Sequence, residues 1–390
     1  RQGASWNHAK LIAVDGQYLH TGGHNLWDYH YLKKDPVHDL SIEMEGRVAH
    51  DGHLYANDQW AFIQQKQSGI VGQCAENIPD SVPLIWKNRV IISEYPETTA
   101  AEFAPMYSPG LVPNYDKPEG SVPIISMGRY GAITLKSRPA DDAFIAMIDS
   151  AQTIIRMSLQ DLGPVCIPTT KIALPGCCWP KPYLDALARA IWLRGVDVEI
   201  VLSNPGSIPG DLSLTDACYG NGWSCVDVAA ELIKRIKKQY PYAADNDLRQ
   251  KVVDNLRICF IRHAKSSTYP GGMSVGNHSK FFIVDDIASY TGSQNLYVCD
   301  LAEWGVVVDD KGETKKMMED YWNPMWEASY TEEDVDVQEV MDGLDINRDG
   351  ETVNHFSAAG RQKMEDAAKM GGHFTASSTN PLYGREGVEA

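Results

Sequence analysis

Two stretches of this chain are copies of one another. Residues 6–27 read WNHAKLIAVDGQYLHTGGHNLW and residues 276–297 read GNHSKFFIVDDIASYTGSQNLY. Aligned without gaps, nine of the 22 positions are identical: Asn7/Asn277, His8/His278, Lys10/Lys280, Val14/Val284, Asp15/Asp285, Thr21/Thr291, Gly22/Gly292, Asn25/Asn295 and Leu26/Leu296. The matches are mostly polar residues and glycine, which a shared core pattern would not select. A repeat limits the possible architectures, because both copies must be served by the same local structure.

Both copies have the form H-x-K-x4-D-x6-G-[G/S]-x-N. The apolar runs LIAV and FFIV are rich in β-formers and predict buried strands. Side chains two apart on a strand share a face, so each His and Lys point the same way. The glycine turn that follows can bring Asn25 or Asn295 back beside them. Each copy thus offers an imidazole, an ammonium and a carboxamide to one patch. That trio suits a phosphate: Lys supplies charge, Asn supplies donors, and His supplies a nucleophile or a proton.

The rest of the chain alternates strand and helix patterns, which predicts an α/β architecture. HDLSIEM (38–44) reads as a strand and LYANDQWAFIQQKQ (54–67) as a helix. Residues 71–130 read as a Pro-, Gly- and Tyr-rich connection. Helices are predicted at 140–152, 182–195, 226–239 and 314–329, and strands at 153–159, 196–203, 256–262 and 303–309. The resulting units are 1–70, 71–130, 131–330 and an acidic, partly flexible tail at 331–390. The second copy begins near residue 140 and reaches its His at 278, whereas the first reaches its His at 8. If the copies are full duplicates, the first lacks elements that should precede it. The chain is then expected to be a fragment, or a processed product whose N-terminal segment is separate.

Lys plus Arg is 35 and Asp plus Glu is 52, a net charge of −17. A surface this negative repels a phosphate backbone at long range, so no nucleic-acid partner is expected. No apolar run is long enough to span a membrane. Among eight cysteines there is no CxxC pair, which argues against a zinc ribbon. Cys218 and Cys225 flank the loop YGNGWS and fit a disulfide of an exported protein; free buried thiols in a cytosolic protein are the alternative.

The paired motifs resemble the duplicated HKD motif of the phospholipase D superfamily and match every defining position in both copies. Details such as WNH, GGxN and NLW look most like the secreted microbial phospholipases D. The resemblance covers roughly residues 1–330. It implies two duplicated α-β-α sandwich halves packed with pseudo-two-fold symmetry, the N-terminal half truncated here, with both motifs meeting at one site. It further implies attack on phosphorus by His8 through a phosphohistidine, acid–base work by His278, and phosphate binding by Lys10, Lys280, Asn25 and Asn295. No metal is required by this chemistry. By the same resemblance, Asp39 and Glu303 hold the second nitrogens of the histidines. Asp15 and Asp285 read as structural charge partners, because they sit at the far end of the strand from His. Ser293 can donate to phosphate, and Gly23, its counterpart, can offer only backbone.

The substrate implied is a glycerophospholipid at a membrane or micelle surface, hydrolysed or transphosphatidylated outside the cell. A nuclease or other phosphodiesterase of the superfamily, or a catalytically silent lipid-binding homologue, is the alternative. Outside the motifs, DINRDGE (345–351) places Asp345, Asn347, Asp349 and Gly350 as in a calcium loop, but Phe356 stands where the bidentate Glu belongs. It reads first as a capped turn and only second as a calcium site. His50 and His53 read as a solvated turn. His20, His24, His30 and His38 could line the site's entrance. Trp27, Tyr29, Tyr31, Trp179 and Trp223 could touch a headgroup or serve the core.

Overall fold

The computed structural model describes residues 5–26, 28–67, 122–130, 139–164, 172–173, 178–204, 207, 223–297 and 300–346. Its strands are β1 (Ser5–Asn7), β2 (Leu11–Val14), β3 (Tyr18–Gly22), β4 (Ser41–Glu45), β5 (Ile124–Tyr130) and β6 (Ile154–Leu159), followed by β7 (Asp197–Leu202), β8 (Leu256–Phe260), β9 (Lys280–Val284), β10 (Ala288–Gly292) and β11 (Asp300–Asp309). The helices are α1 (Asp28–Tyr31), α2 (Val48–Gln67), α3 (Pro139–Ser150), α4 (Lys181–Arg189) and α5 (Cys225–Gln239), then α6 (Asp245–Asn255), α7 (Lys311–Met317), α8 (Asn323–Ser329) and α9 (Val337–Gly343). The chain divides into two units. One takes in Arg1–Lys10, Thr21–Ile42 and Val122–Ala390, the other Leu11–His20 and Glu43–Ser121. The boundary at residue 70 read from the sequence does not coincide with this division.

The larger unit is built on an eight-stranded mixed sheet in the order β1–β11–β10–β9–β6–β7–β8, with β5 also paired to β11. Strands β6, β7 and β8 run parallel, and β9 is antiparallel to both β6 and β10. FFIV is buried at every position, as an unbroken apolar run in the middle of a sheet should be. Its side chains alternate between two apolar clusters. Phe282 and Val284 join one with residues of α3, α4, α5 and α6, while Phe281 and Ile283 join the other with Met318, Trp322 and Met325. Trp179 and Trp223 are core residues, with ring centroids 4.7 Å apart. Two helices carry a wider π turn, Ala190–Arg194 after α4 and Met318–Trp322 between α7 and α8. The first ends where expected, at Gly195 with φ of +63°.

A second sheet has the order β2–β3–β4, and β2 and α2 belong to the smaller unit. Here LIAV departs from expectation. Ile12 and Val14 are each 45 % exposed, because side chains alternate faces on β2: Leu11 and Ala13 turn toward Gly52 of α2, and Ile12 and Val14 point the other way. HDGH also departs: His50 and His53 lie within α2 rather than in a turn, and His53 Nε2 accepts from the backbone N–H of Gly16 at 3.1 Å.

The two copies share an unusual backbone detail. Asp15 and Gly16 have φ of +52° and +66°, and Asp285 and Asp286 have +53° and +56°. Two successive positive φ values are the signature of a tight two-residue hairpin turn, which Asp and Gly tolerate. Asp285 also caps the start of β6: its carboxylate accepts from the backbone N–H groups of Gln152, Thr153 and Ile154 and from the Thr153 hydroxyl. Burial pushes its pKa up, but these bonds outweigh that and hold it below the usual value.

The acidic segment 331–342 is less solvated than its composition implies. Asp334 pairs with Arg262 at 2.6 Å, and Asp342 with Arg249 at 2.6 Å. The calcium-loop candidate reaches the described residues only at Asp345; Asn347 and Asp349 lie outside them. Cys225 is buried at the first position of α5, and Cys218, its expected disulfide partner, lies outside the described residues.

The two turn aspartates give an internal control. Asp285→Asn is expected to cost about 1 kcal/mol, the worth of a charged cap on partly exposed backbone donors. Asp15→Asn should cost within about 0.5 kcal/mol, since among the described residues Asp15 caps no such donors. Urea denaturation midpoints of the two variants measure the difference.

Candidate active site

Two short backbone contacts assemble the site, both within the larger unit. Strand β1 lies parallel to the start of β11, pairing Ser5 with Asp300, Trp6 with Leu301 and Asn7 with Ala302. The next residue, His8, donates its backbone N–H to Ala302 O at 2.7 Å and so stands beside Glu303. The mirror contact is a bridge between His38 and Asn277, in which His38 N–H donates to Gly276 O and His278 N–H to His38 O, each at 2.8 Å. That places His278 beside Asp39. Each motif histidine therefore takes its carboxylate from behind the other motif.

His8 Nδ1 lies 3.1 Å from Glu303 Oε1 and 3.1 Å from the carbonyl of Ser293. His278 Nδ1 lies 2.9 Å from Asp39 Oδ2. A carbonyl and a carboxylate can only accept, so Nδ1 carries the proton in both rings and the lone pair sits on Nε2. The ring centroids are 6.2 Å apart, and the rings meet edge to face at 73°. Lys10 and Lys280 each donate to the carbonyl of their own histidine, Lys10 at 2.7 Å. The amide nitrogen of Asn295 is buried with no hydrogen-bond partner among the described residues, a donor held ready for an acceptor the protein does not provide. Asn25 donates its backbone N–H to the Tyr31 hydroxyl at 3.2 Å.

Gly23 has a steric reason to be glycine. A Cβ there would lie 2.0 Å from Asp39 Oδ1 and 2.9 Å from His278 O. Ser293, which the sequence offers to phosphate, instead donates its hydroxyl to Trp304 O at 3.1 Å and accepts from Trp304 N–H at 3.0 Å. Its backbone carbonyl is the part that faces His8.

Two further residues belong to the site, one that the sequence leaves ambiguous and one that it does not reveal. Tyr31 donates to Asp39 Oδ2 at 2.9 Å and so belongs to the site rather than to the core. Arg129, on β5, faces Glu303 across an antiparallel pair and forms an ion pair with it, and reaches Asp141 on α3 at 2.5 Å. It sits at the end of the segment read as an inter-half connection; the strand-like run IISMGRY was the available signal. Of the other histidines, His38 approaches the Tyr321 hydroxyl at 3.1 Å and His24 the Ser41 hydroxyl at 2.7 Å. His30 is buried, and His20 lies in the smaller unit. The side chains of Trp27 and Tyr29 lie outside the described residues.

Electrostatically the site is a desolvated cluster of three cations (Lys10, Lys280 and Arg129) and three carboxylates (Asp39, Glu303 and Asp141). Burial, then the Lys10 charge, lowers His8 to about 4; burial, then Lys280, lowers His278 to about 3. Burial lowers Lys10 to about 8 and holds Lys280 well below the usual range. Burial alone would raise Asp39 and Glu303, but His278 and Lys280 hold Asp39 low, and Arg129 and His8 hold Glu303 low. Both imidazoles are thus neutral at pH 7. Among the described residues no His, Cys, Asp and Glu cluster could hold a metal ion, and no helix is long and apolar enough to cross a membrane.

No family model matches the chain. It is similar to a phospholipase D of Streptomyces antibioticus, 25 % identical over 363 residues that cover 83 % of this chain. The chain spans 59 % of that relative's length. Among solved structures, phosphatidylserine synthase of Haemophilus influenzae aligns over 96 % of this chain and 71 % of its own, with 11 % identity and a TM-score of 0.48. Nuc of Salmonella typhimurium, a phospholipase D family member, aligns over 54 % of this chain and 96 % of its own, with 19 % identity and a TM-score of 0.30.

The buried histidines make stability depend on acid. In an unfolded chain they take up protons near the ordinary value of 6.5, whereas His8 and His38 resist to about 4 and His278 to about 3. Between those limits the unfolded state binds more protons, so stability is lost as pH falls below 6.5. The Tm is expected to drop steadily from pH 6.5 to 4, and more shallowly in His38→Gln. A Tm that is flat over that interval would contradict the buried neutral rings.

Proposed function

We propose that this chain, a member of the phospholipase D superfamily, is a phosphodiesterase that cleaves glycerophospholipids at the distal phosphoester through a phosphohistidine. The observation that carries this reading is the facing pair of neutral imidazoles, each anchored through Nδ1 by a carboxylate. Their ring centroids lie 6.2 Å apart, close enough for both rings to serve one phosphoryl group.

The charges support a specific proton inventory. With both imidazoles neutral, three basic side chains stand against three acidic ones. A bound phosphodiester adds one negative charge, which one added proton balances. His8 Nε2 then attacks phosphorus while His278, carrying that proton, protonates the leaving alcohol oxygen. The phosphoenzyme is resolved in the reverse sense: His278 takes a proton from water, or from a second alcohol in transfer, and the oxygen displaces His8. Lys10, Lys280 and the amides of Asn25 and Asn295 serve the non-bridging oxygens, and their charge is worth more in a site closed to water. This assignment of His8 as nucleophile follows the family resemblance, since the two copies offer nearly the same groups.

The lipid substrate is supported by the Streptomyces relative and by a net charge of −17, which disfavours a polynucleotide. An extracellular location is supported by the resemblance to the secreted phospholipases D. Neither a metal nor calcium is needed by the proposed chemistry.

The test is incubation with phosphatidylcholine vesicles and with single-stranded DNA in EDTA. Choline release with intact strands is the expected result. Cut strands without choline would replace the lipid reading with a nuclease one, and neither product would favour a silent homologue. In the active case, His278→Asn should lower kcat by roughly 10²–10⁴-fold and leave a trappable phosphoenzyme, while His8→Asn should form none. An adduct retained in His8→Asn would exchange the two roles.

A further inference from the structure

The two histidines are equivalent in sequence, but their surroundings are not. Behind Asp39 stands a neutral donor, the Tyr31 hydroxyl; behind Glu303 stands a full cation, Arg129. Glu303 divides its oxygens: Oε2 takes the Arg129 guanidinium, while Oε1 accepts from His8 Nδ1 and from the backbone N–H of Asn295 at 3.2 Å. The same guanidinium donates to the Asn295 carbonyl at 3.3 Å, and its other end to Asp141 and to the Tyr183 hydroxyl at 3.1 Å. Tyr183 in turn donates to Asp141. Arg129 is thus fixed from α3 and α4 and braces both the carboxylate behind His8 and the loop that carries the Asn295 amide.

We infer that Arg129 is a positioning residue that orients Glu303 and Asn295 and keeps His8 in its neutral, Nε2-nucleophilic form. The inference deepens the phosphodiesterase reading and rests on it for the role of His8. The physical reason is competition for one carboxylate. A cation bound to Oε2 draws off part of the charge that would otherwise stabilise an imidazolium at Oε1. The groups beside His8 are Glu303 on β11, Lys280 on β9, Lys10 from its own motif and the His278 ring; Arg129 on β5 and, beyond it, Asp141 on α3 stand on the far side of Glu303. Removing Arg129 leaves Glu303 and Asp141 with one fewer cation, and His8 is the basic group bonded directly to Glu303. The cluster then restores its balance by placing a proton on the imidazole. Nothing equivalent is available at His278, where the replaceable partner is uncharged.

The experiment uses the full chain with ring-labelled histidine, the His8 resonance being assigned by its loss in His8→Asn. In wild type the His8 ring should remain neutral from pH 8 to 5. In Arg129→Gln it should become half-protonated inside that window, a rise in proton affinity of about tenfold or more. The double variant Arg129→Gln/Glu303→Gln should return toward wild type, because the uncompensated charge is gone. The ring titration needs no turnover, so it stands or falls separately from the phospholipid assay. Where turnover is measurable, the acid limb of kcat/KM should move to higher pH in Arg129→Gln, which a purely structural loss would not do. A folded Arg129→Gln protein whose His8 ring stays neutral to pH 5 overturns the inference. If that variant does not fold, Arg129→Lys decides. It keeps the charge without the fork, so the His8 ring should stay neutral over the same range, and a ring that titrates there would overturn the proposal.

Discussion

The site depends on an exchange. Each motif histidine sits on backbone hydrogen-bonded to the segment behind the other motif: His8 on Ala302, His278 on His38. These contacts are only a few bonds long, yet they fix which carboxylate meets which imidazole. Without the exchange, two identical motifs would sit on two separate surfaces, each with a histidine of ordinary basicity. With it, the rings face each other and lose their water, and their partners become Glu303 and Asp39. The proton affinities, the tautomers and the orphaned Asn295 amide all follow from that closure.

Desolvation then dominates the electrostatics. It is the largest influence on both histidines and both lysines, and it acts against charge in every case. The cluster remains viable because its cations and carboxylates are matched and each is bonded to a neighbour. A matched cluster also explains why an anion is the natural guest. It brings the one charge that can be met by a proton on an imidazole rather than by reorganising the protein.

Much of this was legible in the sequence, and the failures have particular causes. The repeat located His8, Lys10, His278, Lys280 and Asn295 without reference to any fold, because spacing along a strand fixes which side chains share a face. FFIV read correctly as a buried strand, while LIAV did not, since the same apolar pattern cannot tell whether both faces of a strand are covered. Ser293 was misjudged because a hydroxyl has two possible employers, and the Trp304 backbone is the nearer one. Arg129 was invisible because it functions through a cross-strand pair with a residue 174 positions away. Tyr31 was read as ambiguous, and only the fold shows its hydroxyl on Asp39.

The glycine at position 23 has an evolutionary corollary. Repeats within one gene tend to be overwritten by each other through recombination. Here such correction would be self-defeating: writing the serine of the second copy into the first would drive a side chain into the carboxylate that anchors the opposite ring. Sterics therefore set the two motifs apart at this one position, where the first packs against Asp39 and the His278 carbonyl.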